Sequence, residues 1–285
     1  MASFFEIADS DLISLKSDVV IITGGSSGIG LATVNLLLDL GATVVVGDMN
    51  GPPLSHQNLS FQKCDVTSWP DQLSLFKFTI EKHDHIDHVF ANAGIGSRCE
   101  HVNADTDSNG DPVAPNLTTY DTNFKGMVYS SHLAIYYLQK QDSPGSIVAT
   151  ASASSFQHFP ASDYTASKHG VLGFMRGVLP NLYQTRIRMN EIAPSWTVTG
   201  LLPPQLTDRI DGPWQQPEVV ARAVAVLMAD QKRQGQLIYI VQGKYKEVEE
   251  GFLMTAAREI LDGEEPAIKV LQNIKEVVAG FRMAQ

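Results

Sequence analysis

The chain has 285 residues and a mass of 31.1 kDa, with 44% hydrophobic and 18% charged residues. This composition is typical of a soluble globular protein and excludes global disorder. The 21 Lys and Arg residues stand against 31 Asp and Glu residues, so the formal net charge is -10. An acidic chain repels nucleic acid and anionic membranes, and we expect neither as a partner.

Cysteine usage and the N-terminal residues indicate a cytoplasmic protein. Cys64 and Cys99 are the only cysteines; they match no zinc-type spacing, which favours reduced thiols of the cytosol. Met1–Ser17 lacks the basic region and apolar core of a leader peptide. No apolar run approaches the roughly 20 residues that cross a bilayer. We therefore expect a cytoplasmic location without membrane attachment.

Short β-branched runs alternate with amphipathic stretches along the chain, which is typical of a parallel sheet with crossover helices. The pattern predicts a single α/β domain with a Rossmann fold: a doubly wound parallel sheet of seven strands, with helices on both faces. Six of the seven strands are placed at Asp18–Thr23, Ala42–Gly47, Ile86–Ala91, Ser146–Thr150, Arg186–Ile192 and Gln236–Val241. Helices are predicted at about Ile29–Leu40, Trp69–Lys82, Leu117–Gln139, Asp163–Tyr183 and Val219–Met228.

Three regions fall outside this pattern. The polar segment Ser97–Pro115 predicts a surface loop. Leu201–Pro217, rich in proline and glutamine, follows a strand end and predicts a short flap beside the substrate. Residues 246–285 predict a helical extension of the domain formed by residues 1–245, with helices near Val248–Leu261 and Ala267–Phe281 that pack on the domain or on a dimer partner.

A glycine-rich turn follows the first predicted strand and opens the first predicted helix. It spans Thr23–Gly30 and contains Gly24, Gly28 and Gly30. These glycines let the backbone turn tightly and approach a pyrophosphate, whose charge is held by free N–H groups at the helix N-terminus. The turn therefore predicts a dinucleotide site, with a purely structural glycine turn as the alternative.

Asp48 ends the second predicted strand, where a carboxylate can accept hydrogen bonds from the adenosine ribose. The same carboxylate repels a 2′-phosphate. No Lys or Arg lies in the glycine turn or at Met49 and Asn50. The sequence therefore favours NAD over NADP, with a solvated Asp at the strand end as the alternative.

Three motifs together resemble the short-chain dehydrogenase/reductase family over roughly residues 16–245. They are the Thr-Gly-x-x-x-Gly-x-Gly turn, Asn92-Ala93-Gly94 after the strand that ends at Ala91, and Tyr164-Thr165-Ala166-Ser167-Lys168. Pro217–Gly243 and the helical tail are most similar to 15-hydroxyprostaglandin dehydrogenase-like and fungal secondary-metabolism members. The resemblance implies an NAD-dependent oxidoreductase that transfers a hydride between nicotinamide and a secondary alcohol or ketone of a small apolar substrate.

The resemblance also implies four catalytic residues. Tyr164 would transfer the proton, and Lys168, one helical turn further on, would supply a cation that favours the phenolate and would hold the nicotinamide ribose. Ser152 would bind the substrate oxygen, with Ser154 and Ser155 as weaker matches to the family's spacing. Asn123 would hold a water in the proton relay.

Further contacts are implied by position in the family's pattern. The loop that binds the carboxamide departs from this pattern, because Pro194-Ser195 stands where the family usually has Pro-Gly. Substrate contacts are Ser152, Phe159, Trp196 and Leu201, in an apolar pocket that Phe156, His158, Leu202 and Trp214 extend. Cofactor contacts are Gly24, Ser26, Ser27, Gly28, Ile29 and Gly30, Asp48, Asp65 and Val66 at the adenine, Asn92 and Gly94 at the adenosine ribose, Tyr164 and Lys168, and Thr197 and Thr199 at the carboxamide.

Other functions use some of the same residues. A biosynthetic ketone or imine reductase would share the fold, and cofactor preference would distinguish it. A non-catalytic dinucleotide sensor would need the glycine turn and Asp48 but would have no use for the four catalytic residues.

A metal site and an assembly are two further possibilities. His83, His85 and His88 precede a strand, far from the strand ends that carry ligands, so we interpret them as solvated loop residues and predict no metal. Leu117–Gln139 and Asp163–Tyr183 correspond to the helices through which members of the resembled family pair. We therefore expect a homodimer or homotetramer.

Overall fold

The computed structural model describes residues 3–202, 205, 209 and 211–260. Its centre is an eight-stranded sheet in the order β3-β2-β1-β4-β5-β6-β7-β8. The strands are β1 (Val19–Thr23), β2 (Thr43–Asp48), β3 (Leu59–Lys63), β4 (His88–Ala91), β5 (Gly145–Thr150), β6 (Ile187–Pro194), β7 (Leu237–Val241) and β8 (Lys244–Glu247).

The strand order reverses beside β1, and this reversal places the site. From β1 the chain builds outward through β2 to β3, then crosses back to β4 on the other side. β1 pairs in parallel with both β2 and β4, with Thr23 opposite Gly47 and Ala91 at the carboxyl ends. A doubly wound sheet binds its ligand in the crevice at this reversal. The doubly wound parallel core predicted from the sequence is confirmed.

Helices cover both faces of the sheet and bury two separate hydrophobic clusters. Residues of α2, α3 and α4 pack on one face, and α1 and α5 pack on the other together with N-terminal residues such as Leu12 and Leu15. The helices are α1 (Gly28–Asp39), α2 (Trp69–His83), α3 (Gly126–Leu138), α4 (Ser162–Leu182), α5 (Pro217–Ala229) and α6 (Met254–Ile260).

The prediction of seven strands, all parallel, was one strand short, and the strands that it placed include neither β3 nor β8. β8 pairs with β7 in an antiparallel manner through the turn Gln242-Gly243, where φ is 49° and 73°. Two positive φ angles are typical of the tight turn in a two-residue hairpin. The chain therefore reverses locally, and the eighth strand covers the edge of β7.

The two ends of the described chain meet at this edge. The Phe5 N–H donates to the Tyr245 carbonyl oxygen over 2.9 Å. Arg222 donates to the Ile7 carbonyl oxygen over 2.6 Å and forms an ion pair of 2.8 Å with Asp9. The N-terminal segment is therefore held by residues that come more than 200 positions later.

The predicted helix Leu117–Gln139 is present but interrupted. A helical turn at Thr118–Tyr120 leads into a π-helical segment, Asp121–Lys125, before α3 begins. π-helical turns inside helices occur frequently at functional sites. Here the wide turn contains Asn123.

His83 and His88 are not solvated loop residues, contrary to the prediction. His83 is the last residue of α2, and its Nε2 atom is buried without a hydrogen-bond partner among the described residues. His88 begins β4 with 7% of its surface exposed. Nδ1 lies 2.8 Å from the Ser146 hydroxyl, and Nε2 lies 3.0 Å from an Asp18 carboxylate oxygen. The imidazole therefore connects two neighbouring strands. Among the described residues, no three His, Cys, Asp or Glu side chains are grouped as metal ligands.

The predicted tail and flap lie partly among the described residues. Beyond β8, a π-helical turn at Glu249–Leu253 leads into α6, while Ala267–Phe281 lies outside the described residues. Residue 245 falls within β8, and the division into a domain and an extension stays a prediction. In the flap, the Val198 N–H donates to the Gln215 carbonyl oxygen over 2.8 Å. In the part of the chain that is described, no helix has the length and apolar character needed to cross a membrane.

Candidate active site

A cavity of about 870 Å³ opens at the carboxyl ends of β1, β2, β4, β5 and β6. We call its two ends the cofactor half, lined by the glycine turn and Asp48, and the substrate half, lined by Phe159 and Trp196. Lys168 is the only Lys or Arg among the described residues that line it. Most of the predicted contacts line this cavity, but Ser26, Gly30 and Asn123 do not, and neither do Phe156, His158 and Trp214 of the predicted substrate pocket.

The glycine turn has the geometry that the motif predicts. Gly24 and Gly28 adopt positive φ angles of 69° and 52°. A Cβ on Gly30 would lie 2.0 Å from the Gly24 carbonyl oxygen, so no side chain fits there. α1 begins at Gly28, and no side chain caps its first turn. Free N–H groups and close backbone approach suit a pyrophosphate.

Asp48 is held toward this turn. One carboxylate oxygen accepts from the Ser26 N–H and the other from the Asn50 N–H, each over 3.1 Å. The Ser26 hydroxyl in turn donates to the Asn50 carbonyl oxygen over 2.5 Å. The carboxylate is thus fixed at the end of β2, beside the cavity. Ser26 supports Asp48 without lining the cavity itself.

Asn92, the residue after β4, stabilises the glycine turn through hydrogen bonds. Its amide nitrogen donates to the carbonyl oxygens of Thr23 and Gly24 over 3.2 and 3.1 Å. Its amide oxygen accepts from the Thr150 hydroxyl over 3.1 Å. Asn92 therefore ties β1 to β5 while also lining the cavity. Thr150 was not anticipated from the sequence.

Asp65 and Val66 also line the cavity, and their contact with the adenine stays a prediction. One Asp65 oxygen accepts from both the N–H and the hydroxyl of Thr67, each over 2.8 Å. The Asp65 N–H donates to Asp71 over 3.0 Å. These bonds fix the loop after β3 against the start of α2.

Ser152, Tyr164 and Lys168 line the junction between the two halves of the cavity. The Ser152 hydroxyl is close enough to the Tyr164 phenol to lower its pKa. Lys168 Nζ lies 5.7 Å from the centroid of the Tyr164 ring and donates to the Thr150 carbonyl oxygen over 2.7 Å. The serine, the phenol and the ammonium therefore lie together at one place.

Asn123 lies behind this group and is 1% exposed. Its amide oxygen accepts from the Ile95 N–H over 2.8 Å, and its amide nitrogen donates to the Ile95 carbonyl oxygen over 2.9 Å. The same nitrogen reaches the Ser167 hydroxyl over 3.3 Å. The side chain therefore binds the loop after β4 to α4, and the predicted bound water stays a prediction.

The electrostatics of the free protein differ from the expectation for Tyr164. Burial raises the pKa of the phenol, and the nearby Ser152 hydroxyl opposes this rise only in part. Burial also lowers the pKa of Lys168 to about 8, against the attraction of Glu191. In this state the ammonium does not bring the tyrosine pKa below its usual value, because desolvation is the larger effect.

Asp163, which the sequence analysis did not single out, holds the start of α4. Its carboxylate is fully buried and accepts from the Ser97 hydroxyl over 2.5 Å and from the N–H groups of Arg98 and Tyr164 over 2.8 and 2.7 Å. Burial would raise its pKa, but these bonds, with one from Thr119, lower it to about 2. Asp163 thus fastens the loop after β4 to the helix of Tyr164.

Aromatic rings form the wall of the substrate half. The Phe159 ring lies 6.1 Å from Tyr164 and 5.6 Å from Trp196, between centroids. Trp214 lies edge-on to Trp196 at 5.8 Å. Leu201 and Leu202 line the cavity, whereas Phe156 and His158 do not. Phe156 packs instead against Tyr239 of β7, at 5.7 Å.

The loop after β6 carries the two threonines predicted at the carboxamide. Thr197 donates to the Ser195 carbonyl oxygen over 2.9 Å and accepts from Gln215 over 3.2 Å. Thr199 approaches the glycine turn, since a Cβ on Gly28 would lie 3.1 Å from its methyl group. Both line the cavity. The loop therefore closes over the cofactor half despite the serine after Pro194.

Comparisons with known proteins agree with this arrangement. A family model described as short chain dehydrogenase matches residues 18–209. The short-chain dehydrogenase/reductase ascJ of Acremonium egyptiacum is 47% identical over 279 residues, which cover 95% of this chain and 94% of that protein. The 5'-hydroxyaverantin dehydrogenase of Dothistroma septosporum is 34% identical over 219 residues, with 68% of this chain and 72% of that protein covered.

A solved structure shares the fold. Ligand-free aldohexose dehydrogenase of Thermoplasma acidophilum superposes with a TM-score of 0.70 at 25% identity, covering 81% of this chain and 95% of that one. The fungal relatives agree with the predicted resemblance to secondary-metabolism members. Because the family model spans most of the chain, and the sheet order and site geometry follow the same pattern, the chain belongs to the short-chain dehydrogenase/reductase family.

Proposed function

We propose that the protein is an NAD-dependent dehydrogenase that interconverts a secondary alcohol and a ketone of a small apolar substrate. The observation that carries the proposal is the position of Ser152, Tyr164 and Lys168, which line one cavity with the glycine turn. The family binds a nicotinamide dinucleotide. A purely regulatory site would need the turn alone, so the three side chains favour catalysis.

The cofactor half suits such a dinucleotide. Gly30 admits no Cβ, and the uncapped N–H groups at the start of α1 face the turn where a pyrophosphate is bound in this fold. When bound, the nicotinamide supplies the hydride acceptor or donor. Asp48 favours NAD, since its carboxylate would repel a 2′-phosphate and no described Lys or Arg beside it lines the cavity to balance that charge.

The substrate oxygen would lie between Ser152 and Tyr164. In oxidation Tyr164 accepts the hydroxyl proton, and in reduction it returns that proton to the carbonyl oxygen. Lys168 favours the phenolate by its charge, which opposes the effect of burial on the phenol. Asn123 is hydrogen-bonded to Ile95 and Ser167 and thus fixes the loop after β4 relative to α4.

The substrate half supports an apolar substrate. Phe159, Trp196 and two leucines line it, and the aromatic rings extend outward from Tyr164. The name of the Dothistroma relative describes a dehydrogenase acting on a hydroxylated compound, which agrees with an alcohol as the reduced partner.

Tyr164→Phe tests the proposal. The substitution keeps the ring but removes the proton-transferring hydroxyl, so turnover should fall about 10²–10⁴-fold while NAD binding persists. The control is Tyr183→Phe, an exposed tyrosine at the end of the same helix, which should match the parent. Turnover is followed by NADH absorbance with a panel of apolar secondary alcohols. Equal turnover in Tyr164→Phe and the parent would contradict the proposed reaction.

A further inference from the structure

Glu191 is a buried carboxylate that the proposed reaction does not use. It lies in β6 with 0% of its surface exposed, and neither carboxylate oxygen has a hydrogen-bond partner. Removing a carboxylate from water without hydrogen bonds costs several kcal/mol or forces the group to become neutral. A buried carboxylate without hydrogen bonds in the central sheet requires a physical reason.

The residues beside Glu191 in the neighbouring strands and in the nearest turn carry no charge. Ala149 of β5 and Leu237 of β7 are its neighbours in register. The short turn Ala153–Ser155, which also contacts β6, contains only alanine and serine.

Met189 and Ala193, two positions on either side of Glu191 in β6, pack in the cluster that α4 covers, so Glu191 faces α4. Lys168 of that helix donates to the carbonyl oxygen of Thr150, the residue after Ala149. The charged groups that act on Glu191 therefore come from α4 and the turn after β8, and they are Lys168, Arg176 and Glu249.

Lys168 and Arg176 are both in α4, eight residues apart. This spacing is about two helical turns and places both side chains on one face. Arg176 is held by Glu249 through two hydrogen bonds of 2.6 and 2.9 Å. Since Glu249 already occupies the guanidinium, Lys168 is the cation left to balance Glu191. In the order Lys168, Glu191, Arg176 and Glu249, the four charges of this cluster therefore alternate in sign.

Each member of the buried pair affects the other. Burial, helped by repulsion from Glu249, raises the pKa of Glu191 to about 8, while Lys168 and Arg176 oppose the rise. Burial lowers the pKa of Lys168 to about 8, and Glu191 opposes that fall. An ionised Glu191 therefore favours the charged form of Lys168.

We propose that Glu191 is a positioning residue that keeps the ammonium of Lys168 charged in the interior, and that it acts on Tyr164 only through this lysine. The consequence for catalysis rests on the proposed function. The charge state of Lys168 does not, because it is a property of the protein without cofactor or substrate.

The first variant is Glu191→Gln, which keeps the size of the side chain and removes the charge. The ammonium form of a lysine is present below its pKa and is lost as pH rises through it. Without the counter-charge, the titration midpoint of Lys168 should fall by about one pH unit or more. The alkaline limb of the kcat/KM profile should move to lower pH with it, because activity needs the ammonium.

The second variant is Glu249→Gln, the same chemical change at a carboxylate that is 3% exposed. It removes the charge that repels Glu191 and frees Arg176 to attract it. Glu191 then ionises at lower pH and holds the Lys168 proton more firmly, so the Lys168 midpoint should rise. The two matched substitutions should thus shift the Lys168 midpoint in opposite directions. A general loss of core packing would not produce shifts of opposite sign.

The measurement is an NMR titration of ¹³C-lysine-labelled full-length protein without cofactor, with the Lys168 signal assigned from Lys168→Met. A fall in Glu191→Gln and a rise in Glu249→Gln support the proposal. An unchanged midpoint in Glu191→Gln, or shifts of the same sign, would overturn it. If Glu191→Gln does not fold, Glu249→Gln alone is measured. A rise in its Lys168 midpoint would then support the proposal, and a fall or no change would overturn it. Absence of dehydrogenase activity would contradict the proposed function but would leave this titration valid.

Discussion

The cofactor half and the substrate half of the cavity are built from different parts of the chain. In the cofactor half, backbone atoms form the surface, and Gly24 and Gly30 come so close to their neighbours that a Cβ would overlap backbone atoms. In the substrate half, side chains of Phe159, Trp196 and Leu201 form the wall, and Trp196 is 39% exposed. We infer that the cofactor half tolerates few substitutions. Side chains of the substrate half can be replaced, and such substitutions change the substrate specificity.

The largest effect is expected in the glycine turn. In Gly30→Ala the new Cβ would lie 2.0 Å from the Gly24 carbonyl oxygen and 2.8 Å from the Asn92 amide nitrogen. We expect a loss of about 3 kcal/mol in the free energy of unfolding and loss of NADH binding. Urea unfolding and NADH fluorescence measure the two effects.

The matched control for this prediction is Gly173→Ala. Gly173 lies inside α4, and its Cβ would meet nothing within 4 Å. Alanine favours a helix over glycine, so this variant should be more stable by about 0.5–1 kcal/mol. If Gly30→Ala bound NADH as the parent does, the proposed difference between the two halves would be wrong.

A slightly smaller effect is expected at Asp163, which joins the loop after β4 to the start of α4. Asp163→Asn keeps the shape but replaces an acceptor oxygen by a donor facing the Ser97 hydroxyl and backbone N–H groups. We expect a loss of about 2–3 kcal/mol in stability at pH 7. Asp105→Asn, at an exposed loop position whose carboxylate makes no hydrogen bond to the described residues, should change stability by less than about 0.5 kcal/mol.

The pH dependence of this prediction follows from the lowered pKa of Asp163. The pKa falls from 3.8 to about 2 on folding, so the stabilisation is complete above pH 4 and is lost as pH falls toward 2. The difference between Asp163→Asn and the parent should therefore shrink by about 2 kcal/mol over this window. A difference that stayed constant from pH 7 to pH 2 would contradict the assignment.

Cofactor choice gives a more moderate effect within the first half. Asp48→Ser combined with Met49→Arg removes the carboxylate and adds a cation where a 2′-phosphate would lie. The ratio of NADP to NAD affinity should rise at least about tenfold, corresponding to about 1.4 kcal/mol. Equilibrium titration of both cofactors measures it. A parent protein that binds NADP more tightly would contradict the role given to Asp48.

The smallest effect is expected in the substrate half. Trp196→Ala should raise KM for an apolar alcohol about fivefold, or about 1 kcal/mol, with little change in kcat, since the ring is only partly buried. Trp69→Ala is the control, because Trp69 has a similar exposure of 37% but packs against Tyr129 and does not line the cavity. A large fall in kcat for Trp196→Ala would show that this half also controls the reaction geometry.

The features predicted correctly from the sequence are those that depend on neighbouring residues. The strands, helices and glycine turn follow from local periodicity and from turns that require glycine. β8 was missed because the Gln242-Gly243 turn has a weaker signal than Asn-Gly or Asp-Gly. The pairing of β8 with β7 depends on that turn and on the edge of β7, which β8 covers.

The missed residues of the site depend on contacts distant in sequence. Asp163 binds Ser97 and Arg98, which precede it by more than 60 positions. Glu191 interacts with Lys168 of α4 and Glu249 of the last turn. Nothing in the local pattern distinguishes these acids from solvated ones, so only the folded structure reveals their burial.

The contact between the two ends of the chain affects how the protein is synthesised. Ile7, Leu12 and Leu15 are buried by α5, and Phe5 pairs with Tyr245. At ribosomal rates of about 5–20 residues per second, these N-terminal residues wait on the order of ten seconds for their partners. The nascent chain therefore presents an uncovered apolar segment to chaperones until its last strand has left the ribosome.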